Sequence, residues 1–129
     1  MPIRLVPIGK TRPEDGATGK KKYYAQVVSS GTDTIDDIIR RIEKKSTVSG
    51  ADIQAVLYDL VEEMKSSFSL GRIVQLDRLG NFRLSVSSEG VEEPEKAGAR
   101  QVRQVRVIFK PDKELKRWLK TLKFTRQNI

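Results

Sequence analysis

The 129-residue chain contains no cysteine and no histidine. Their absence excludes disulfides, zinc sites of the usual type, thiol nucleophiles and every histidine-based catalytic triad or general base. No apolar run approaches the roughly 20 residues that cross a bilayer, and residues 1–31 hold no apolar segment typical of a secretion signal. The sequence therefore predicts a cytoplasmic protein with no membrane partner, and much enzymatic chemistry is excluded. We expect no enzymatic activity, no cofactor and no metal site.

Aromatic residues make up only 6% of the chain, against 37% hydrophobic and 33% charged residues, which fits one soluble domain. The charge is unevenly distributed: the net charge is +4 over residues 1–22, −4 over residues 23–99 and +8 over residues 100–129. Basic surfaces of this kind often bind nucleic acid, because phosphate contact releases condensed counterions, but basic tails can also be merely solvated. Charge alone leaves both interpretations open.

Residues 1–31 are predicted to form two short strands around a loop rich in glycine, proline and lysine. Pro2 and Pro7 have no N–H to donate to a ladder, so the first strand is predicted to be short and to lie at a sheet edge. A lysine run precedes Tyr23 and Tyr24. These tyrosines could stack on bases, or they could simply pack in the sheet.

Two amphipathic helices are predicted after residue 31. Thr34 and Asp37 have the spacing of a capping box, and the apolar residues after them predict a helix over residues 35–45. A second cap at Ser49 introduces apolar residues at helical spacing, which predict a helix over residues 50–67. The short connection between the two helices predicts that their apolar faces pack together.

After residue 71 the apolar period changes from helical to alternating, which predicts a β-hairpin. Its strands are expected at residues 73–76 and from Phe82 onward, with a turn at residues 79–81 and alternate apolar residues facing inward. Residues 87–98 are predicted to form an exposed, mobile loop, and a third strand returns through residues 105–109.

A short amphipathic helix closes the pattern. Its only acids, Asp112 and Glu114, lie at its start, where they suit the helix dipole. The remaining polar face is purely basic, which favours phosphate contact, although any amphipathic helix presents a polar face to solvent. The lysines of this face recur at three- and four-residue steps: Lys113, Lys116, Lys120 and Lys123.

Arginines recur at every third position of the returning strand, at Arg100, Arg103 and Arg106. On a flat strand they would alternate between faces, so they reach one duplex together only if the strand is twisted or bulged. Arg106 and Lys110 share a parity and are predicted to face away from the apolar side. Arg100 and Arg103 could equally be cations at the base of a flexible loop.

Two segments together resemble the HU/IHF family of bacterial histone-like proteins. They read GRIVQLDRLGNF over residues 71–82 and FKPDKELK over residues 109–116. The whole chain is similar to the N-terminally extended HU-related proteins of Bacteroidetes. The resemblance implies an α+β fold with a two-helix base, a three-stranded saddle sheet with a β-arm, a short C-terminal basic helix and extra N-terminal strands. It also implies a homodimer, or a heterodimer with a related chain, whose arms reach around DNA in the minor groove.

On this basis the chain divides into an N-terminal extension (1–31), an HU-like domain (32–124) with its arm at 83–108, and a tail (125–129). Pro94 falls close to the position of the family's intercalating proline. The neighbouring residues Glu92, Glu93 and Glu95 differ from the basic arms typical of the family, and their charge opposes contact with phosphates. Strong DNA bending is therefore not expected.

The resulting prediction is non-sequence-specific binding of double-stranded DNA by a nucleoid-associated dimer. One alternative keeps the HU-like dimer as a structural or protein-interaction module with weak or lost bending. Another is a helix-turn-helix regulator built on residues 35–67, which is disfavoured because the second helix is needed for the core and the segment is acidic. The predicted DNA-binding residues are Arg100, Arg103, Arg106, Lys110, Lys113, Lys116, Arg117 and Lys120.

Overall fold

The computed structural model describes residues 2–10 and 21–127. Over these residues the fold is α+β, as predicted, with two three-stranded sheets of strand order β2-β1-β6 and β3-β4-β5. The elements are β1 (Ile3–Lys10), β2 (Lys22–Val27), α1 (Ile35–Lys45), α2 (Gly50–Ser69), β3 (Val74–Leu76), β4 (Gly80–Ser88), β5 (Val102–Pro111), α3 (Lys113–Leu119) and β6 (Phe124–Arg126).

Helix α1 begins at the predicted cap. The Thr34 hydroxyl accepts a hydrogen bond from the Asp37 N–H at 3.4 Å, and the Asp37 carboxylate accepts one from the Thr34 N–H at 3.0 Å. This reciprocal pair is a capping box with aspartate in the place of glutamate. The hydrogen bond from the Thr34 N–H also holds the pKa of Asp37 below its ordinary value, because it stabilises the ionised carboxylate.

Helices α1 and α2 pack on each other, as the short connection predicts. Their contact buries Ile39 and Ile53, which are 8% and 7% exposed and are the only buried apolar side chains in the described part of the chain. Val56 and Val61 of α2 remain at least half exposed. One chain thus forms a two-helix base without closing a core around it. Among the described helices none is long and apolar enough to cross a membrane.

The sheet β2-β1-β6, called here the terminal sheet, corrects the prediction for the first strand. Strand β1 is eight residues long and pairs antiparallel with β2. Over Ile3 to Leu5 it also pairs in parallel with β6, so it is central there and not an edge strand.

Pro7 fits this central strand because of the direction in which its nitrogen points. The Ile3 N–H donates to the Lys123 carbonyl at 2.7 Å, on the β6 side. Alternate residues of a strand point their N–H groups to the same side, so the Pro7 nitrogen also points to the β6 side. The bonds to that side end where the Gln127 N–H donates to the Leu5 carbonyl at 2.7 Å. The missing N–H of Pro7 therefore removes no ladder bond.

Strand β6 was not predicted from the sequence. Thr125 and Arg126, which the sequence interpretation assigns to a tail, belong to this strand and pair beside β1. A three-residue strand is too short to show a hydrophobic period, so only its non-local partner reveals it.

The turn between β3 and β4 lies at residues 77–79, not at the predicted 79–81. Arg78 has a φ of 72° within it, and Gly80 begins β4 with a φ of 151°. A Cβ on Gly80 would collide with the carbonyl oxygen of Lys110 on β5. Glycine is required here because β4 and β5 approach closely and the backbone takes a conformation that other residues rarely adopt.

Candidate nucleic-acid interface

Strands β4 and β5 form a long antiparallel ribbon with two chemically different faces. On one face three successive cross-strand pairs are apolar. The rings of Phe82 and Phe109 in the first of them are 4.9 Å apart between centroids at an angle of 37°. We call this the apolar ribbon face. Its pairs are Phe82 with Phe109, Leu84 with Val107, and Val86 with Val105.

The opposite face of the ribbon carries cations and no carboxylate. We call it the basic ribbon face, after its three charged residues Arg83, Arg106 and Lys110. A surface with one sign of charge and neutral hydrogen-bonding groups between the charges suits a phosphate backbone. Its cross-strand pairs are Asn81 with Lys110, Arg83 with Ile108, Ser85 with Arg106, and Ser87 with Gln104.

The register places Arg106 and Lys110 on this face together, as their shared parity predicts. It adds Arg83, which the sequence interpretation did not select. The sequence contained a signal for Arg83. Phe82, Leu84 and Val86 alternate along the strand, so Arg83, which lies between two of them, must point to the opposite face. The Arg83 Nε is buried and has no hydrogen-bond acceptor in the described part of the chain.

Arg103 lies at a bulge. Beyond Ser87 the register advances by one residue on β4 and by two on β5, so Arg103 is the additional residue. The sequence interpretation predicts that the arginines reach one duplex together only if the strand has such a bulge or a twist. The guanidinium of Arg103 forms an ion pair with Glu89. Arg103 is therefore engaged within the arm itself, unlike Arg106.

The arm tip, residues 89–101, is exposed and folded into two short turns. The Glu89 N–H donates to the Gln101 carbonyl at 2.9 Å and closes the tip onto the ribbon. One turn of 3-10 helix spans Pro94–Lys96 and a second spans Ala99–Gln101, which contains Arg100. Ser87 and Ser88, which the sequence placed in the loop, belong to β4.

Pro94 occupies the first position of its 3-10 turn at the middle of the tip. Beside it the Lys96 ammonium pairs with the Glu93 carboxylate at 3.4 Å. Glu92 and Glu95 are exposed at the same place. The position of Pro94 thus agrees with an arm-tip residue, while the charge around it is that of an acidic tip.

Helix α3 brings four of the predicted cations together. They are Lys113, Lys116, Arg117 and Lys120. At 3.6 residues per turn, their side chains fall within an arc of about 100° around the helix. The helix ends at Leu119, so Lys120 lies at its C-cap. Lys123, the last lysine of the predicted stripe, lies beyond the helix and does not continue the stripe. We call these four residues, Lys113, Lys116, Arg117 and Lys120, the basic helix face.

The two acids at the start of α3 contact the turn before β4 instead of the lysines of this face. The carboxylate of Asp112 accepts a hydrogen bond from the Arg78 N–H at 3.3 Å, and Glu114 forms an ion pair with the Arg78 side chain at 3.1 Å. Both acids therefore hold the turn before β4. In the described residues no group of three or more acidic side chains is arranged to hold a metal ion.

The two-helix base, the two-faced ribbon with its arm and the short basic helix define an HU-like fold. The chain belongs to the HU-HIG family, described as an HU domain fused to wHTH, Ig, or Glycine-rich motif, which it matches over residues 4–126. This finding confirms the resemblance read from the sequence.

A crystal structure with the same fold comes from Bacteroides vulgatus ATCC 8482, of a protein provisionally described as a bacterial DNA-binding protein. The two structures superpose with a TM-score of 0.65 at 14% sequence identity, covering 98% of this chain and 49% of that one. This chain therefore spans about half the length of that protein. No curated protein has a matching sequence.

Proposed function

We propose that the protein binds double-stranded DNA without sequence preference, as a histone-like dimer in the cytoplasmic nucleoid. The observation that carries the proposal is the basic ribbon face, where Arg83, Arg106 and Lys110 share one side of the sheet with no carboxylate among them. Membership of the HU-HIG family and the description of its structural relative both support DNA as the partner.

The basic helix face extends the same chemistry. Lysine and arginine side chains neutralise phosphates whatever the base sequence, and each contact releases counterions from the duplex. The ribbon and the helix together supply seven cations per chain, namely Arg83, Arg106 and Lys110 with Lys113, Lys116, Arg117 and Lys120. Binding of this kind is expected to be strong at low salt and to weaken steeply as salt rises.

A second copy of the chain is the proposed cover for the apolar ribbon face. Val86, Val105 and Val107 are 53%, 57% and 56% exposed in one chain, and Leu84 and Phe109 are also exposed. Fully burying an apolar side chain of this size contributes about 1.5–3 kcal/mol. A dimer that buries this face with the exposed sides of α1 and α2 would complete the core that one chain lacks.

The DNA-binding proposal is tested with the triple variant Arg83→Gln, Arg106→Gln, Lys110→Gln. Its matched control removes three helix cations instead: Lys44→Gln, Lys45→Gln, Lys65→Gln. On unrelated duplexes the ribbon variant is expected to lose affinity equally, and its salt slope should fall by about 0.9 for each phosphate that is no longer neutralised. Wild-type affinity of the ribbon variant on every duplex would contradict the proposal.

The dimer is tested by sedimentation at micromolar concentration, where a mass about twice the 14.6 kDa of one chain is expected. Leu84→Asp with Val107→Asp places two carboxylates on the apolar ribbon face and should shift the mass toward one chain. A wild-type protein that sediments as a stable monomer would refute the dimer and the saddle built from it.

The acidic arm tip favours a second candidate, an HU-like structural or protein-interaction module that does not bend DNA. Glu92 and Glu95 lie exposed on either side of Pro94, where carboxylates would oppose the approach of phosphates. In this candidate the tip contacts a protein partner. Duplex affinity separates the two candidates, since little bending is expected of both: salt-dependent binding to every duplex supports the DNA-binding proposal, and its absence supports the second candidate.

A further inference from the structure

We propose that the terminal sheet is a second duplex-contacting surface, which binds phosphates flanking the DNA segment held by the ribbon and α3. This inference rests on the proposed function. The three strands contain four cations and no carboxylate, and Lys21 and Lys123 directly adjoin them. The connecting residues 11–20 contain two basic and two acidic residues, so they add no net charge. The strand cations are Arg4, Lys10, Lys22 and Arg126.

Three of these cations share one side of the sheet. Lys10 and Lys22 are direct cross-strand partners, and Arg4 has the same parity as Lys10 on β1. We call this set the basic sheet face. The opposite side carries one cation, Arg126, beside apolar residues such as Ile3 and Pro7, while Val6 and Ile8 lie between the cations on the basic sheet face. Three of the four strand cations are thus concentrated on one side of the sheet.

The pairing of Lys10 with Lys22 points to an anionic ligand. Like charges directly opposite each other on an antiparallel pair are destabilising, because their Cβ atoms are only about 4.5–5.5 Å apart. The free chain carries this repulsion, and a bound phosphate would remove it. If these lysines served only solubility, they could lie far apart on the surface without this electrostatic repulsion.

The terminal sheet is also continuous with the basic helix face. Four residues, 120–123, join α3 to β6, and a connection of this length spans at most about 18 Å. It is folded back by two hydrogen bonds, from the Thr121 N–H to the Trp118 carbonyl at 2.9 Å and from the Leu122 N–H to the Leu119 carbonyl at 3.3 Å. From residue 115 to the end of the sequence there is no acidic residue.

Because this connection is short, the terminal sheet must lie near the duplex that the basic helix face contacts. Tyr24 lies two residues from Lys22 on the same side and could stack on the bases of a single strand. However, residues 120–123 hold the sheet close to α3. When α3 is bound to a duplex, the nearest anionic groups are the phosphates that flank the bound segment. Single-stranded DNA therefore serves as a comparison ligand in the test.

The test compares wild type with the variant Arg4→Gln, Lys10→Gln, Lys22→Gln on duplexes lengthened in steps up to about one helical turn, roughly 10 base pairs, at each end. On the shortest duplex that binds, the variant should match wild type. On the longest, its affinity should fall by about eight-fold at 0.1 M salt for each phosphate that the variant no longer neutralises, because affinity varies with salt to a power of about 0.9 per neutralised phosphate.

The control is Lys44→Gln, Lys45→Gln, Lys65→Gln, which changes the net charge equally and should follow wild type at every length. Unfolding curves without DNA should show the sheet variant to be as stable as wild type or more stable, since it removes the Lys10–Lys22 repulsion.

Equal affinity of the sheet variant and wild type at every duplex length would overturn the inference, while weaker binding by the ribbon variant would still support the proposed function. An equally large decrease on the shortest duplex would contradict the flanking position. A decrease confined to single-stranded DNA would refute the duplex as the ligand. If wild type binds no duplex at all, the proposed function itself fails.

Discussion

The guanidinium of Arg78 donates three hydrogen bonds to the carboxylate of Glu114: Nε to Oε2 and Nη2 to Oε1, each at 3.1 Å, and Nε to Oε1 at 3.3 Å. The pair joins the turn before β4 to the first turn of α3, and it raises the pKa of Arg78 above its ordinary value. The Asp112 N–H adds a bond to the Leu79 carbonyl at 3.0 Å. These contacts set the position of the basic helix face relative to the ribbon.

Replacing Glu114 by Gln should lower the urea midpoint of unfolding slightly. The two side chains are 81% and 54% exposed, so water and salt screen most of their attraction. The decrease should shrink further at high salt. Glu62→Gln, which removes the helical pair with Lys65, is the control, and its effect should be smaller because that pair has one hydrogen bond and joins no separate elements. A larger effect at Glu62 would contradict this role of Glu114.

Gly80→Ala should destabilise the protein by about 1–3 kcal/mol, measured by chemical unfolding. The added Cβ meets the backbone of β5, and the φ of 151° is one that alanine rarely adopts. Gly90→Ala is the control, since a Cβ there meets nothing within 4 Å. Equal stability of the two variants would show that β4 can shift away from β5 without loss.

The triple variant Lys113→Gln, Lys116→Gln, Lys120→Gln should weaken binding to all duplexes alike. The salt slope should fall by roughly 0.9 for each phosphate that is no longer neutralised in each subunit, because the interaction is electrostatic and independent of base sequence. Helix content, checked by circular dichroism, should stay constant since lysine and glutamine have similar helix propensities. Unchanged affinity would mean that the basic helix face is only solvated.

The arm should bend DNA weakly. A proline wedge unstacks a base step at a cost of a few kcal/mol and recovers it through contacts with the bent duplex, which carboxylates near Pro94 would reduce. Pro94→Ala should therefore change affinity little. The charge-reversed variant Glu92→Lys, Glu93→Lys, Glu95→Lys should increase both affinity and bending, measured by energy transfer between dyes at the ends of a short duplex. A large wild-type bend that Pro94→Ala abolishes would contradict this prediction.

Elements with local signals can be predicted from the amino-acid sequence alone. The cap at Thr34 and the apolar spacing after it predict the bounds of α1 as the structure has them, because a helix is specified by residues three and four apart. The alternation in β5 likewise predicts that Arg106 and Lys110 share a face, since side chains change sides at every residue of a strand.

Features that join distant residues could be seen only in the folded chain. Strand β6 forms because Phe124 pairs with Ile3, which lies near the other end of the sequence. A three-residue strand is too short to give a local sequence pattern. The bulge at Arg103 and the cross-strand pairing of Lys10 with Lys22 depend on register between two strands. Register is set by how whole strands align, so neighbouring residues cannot specify it.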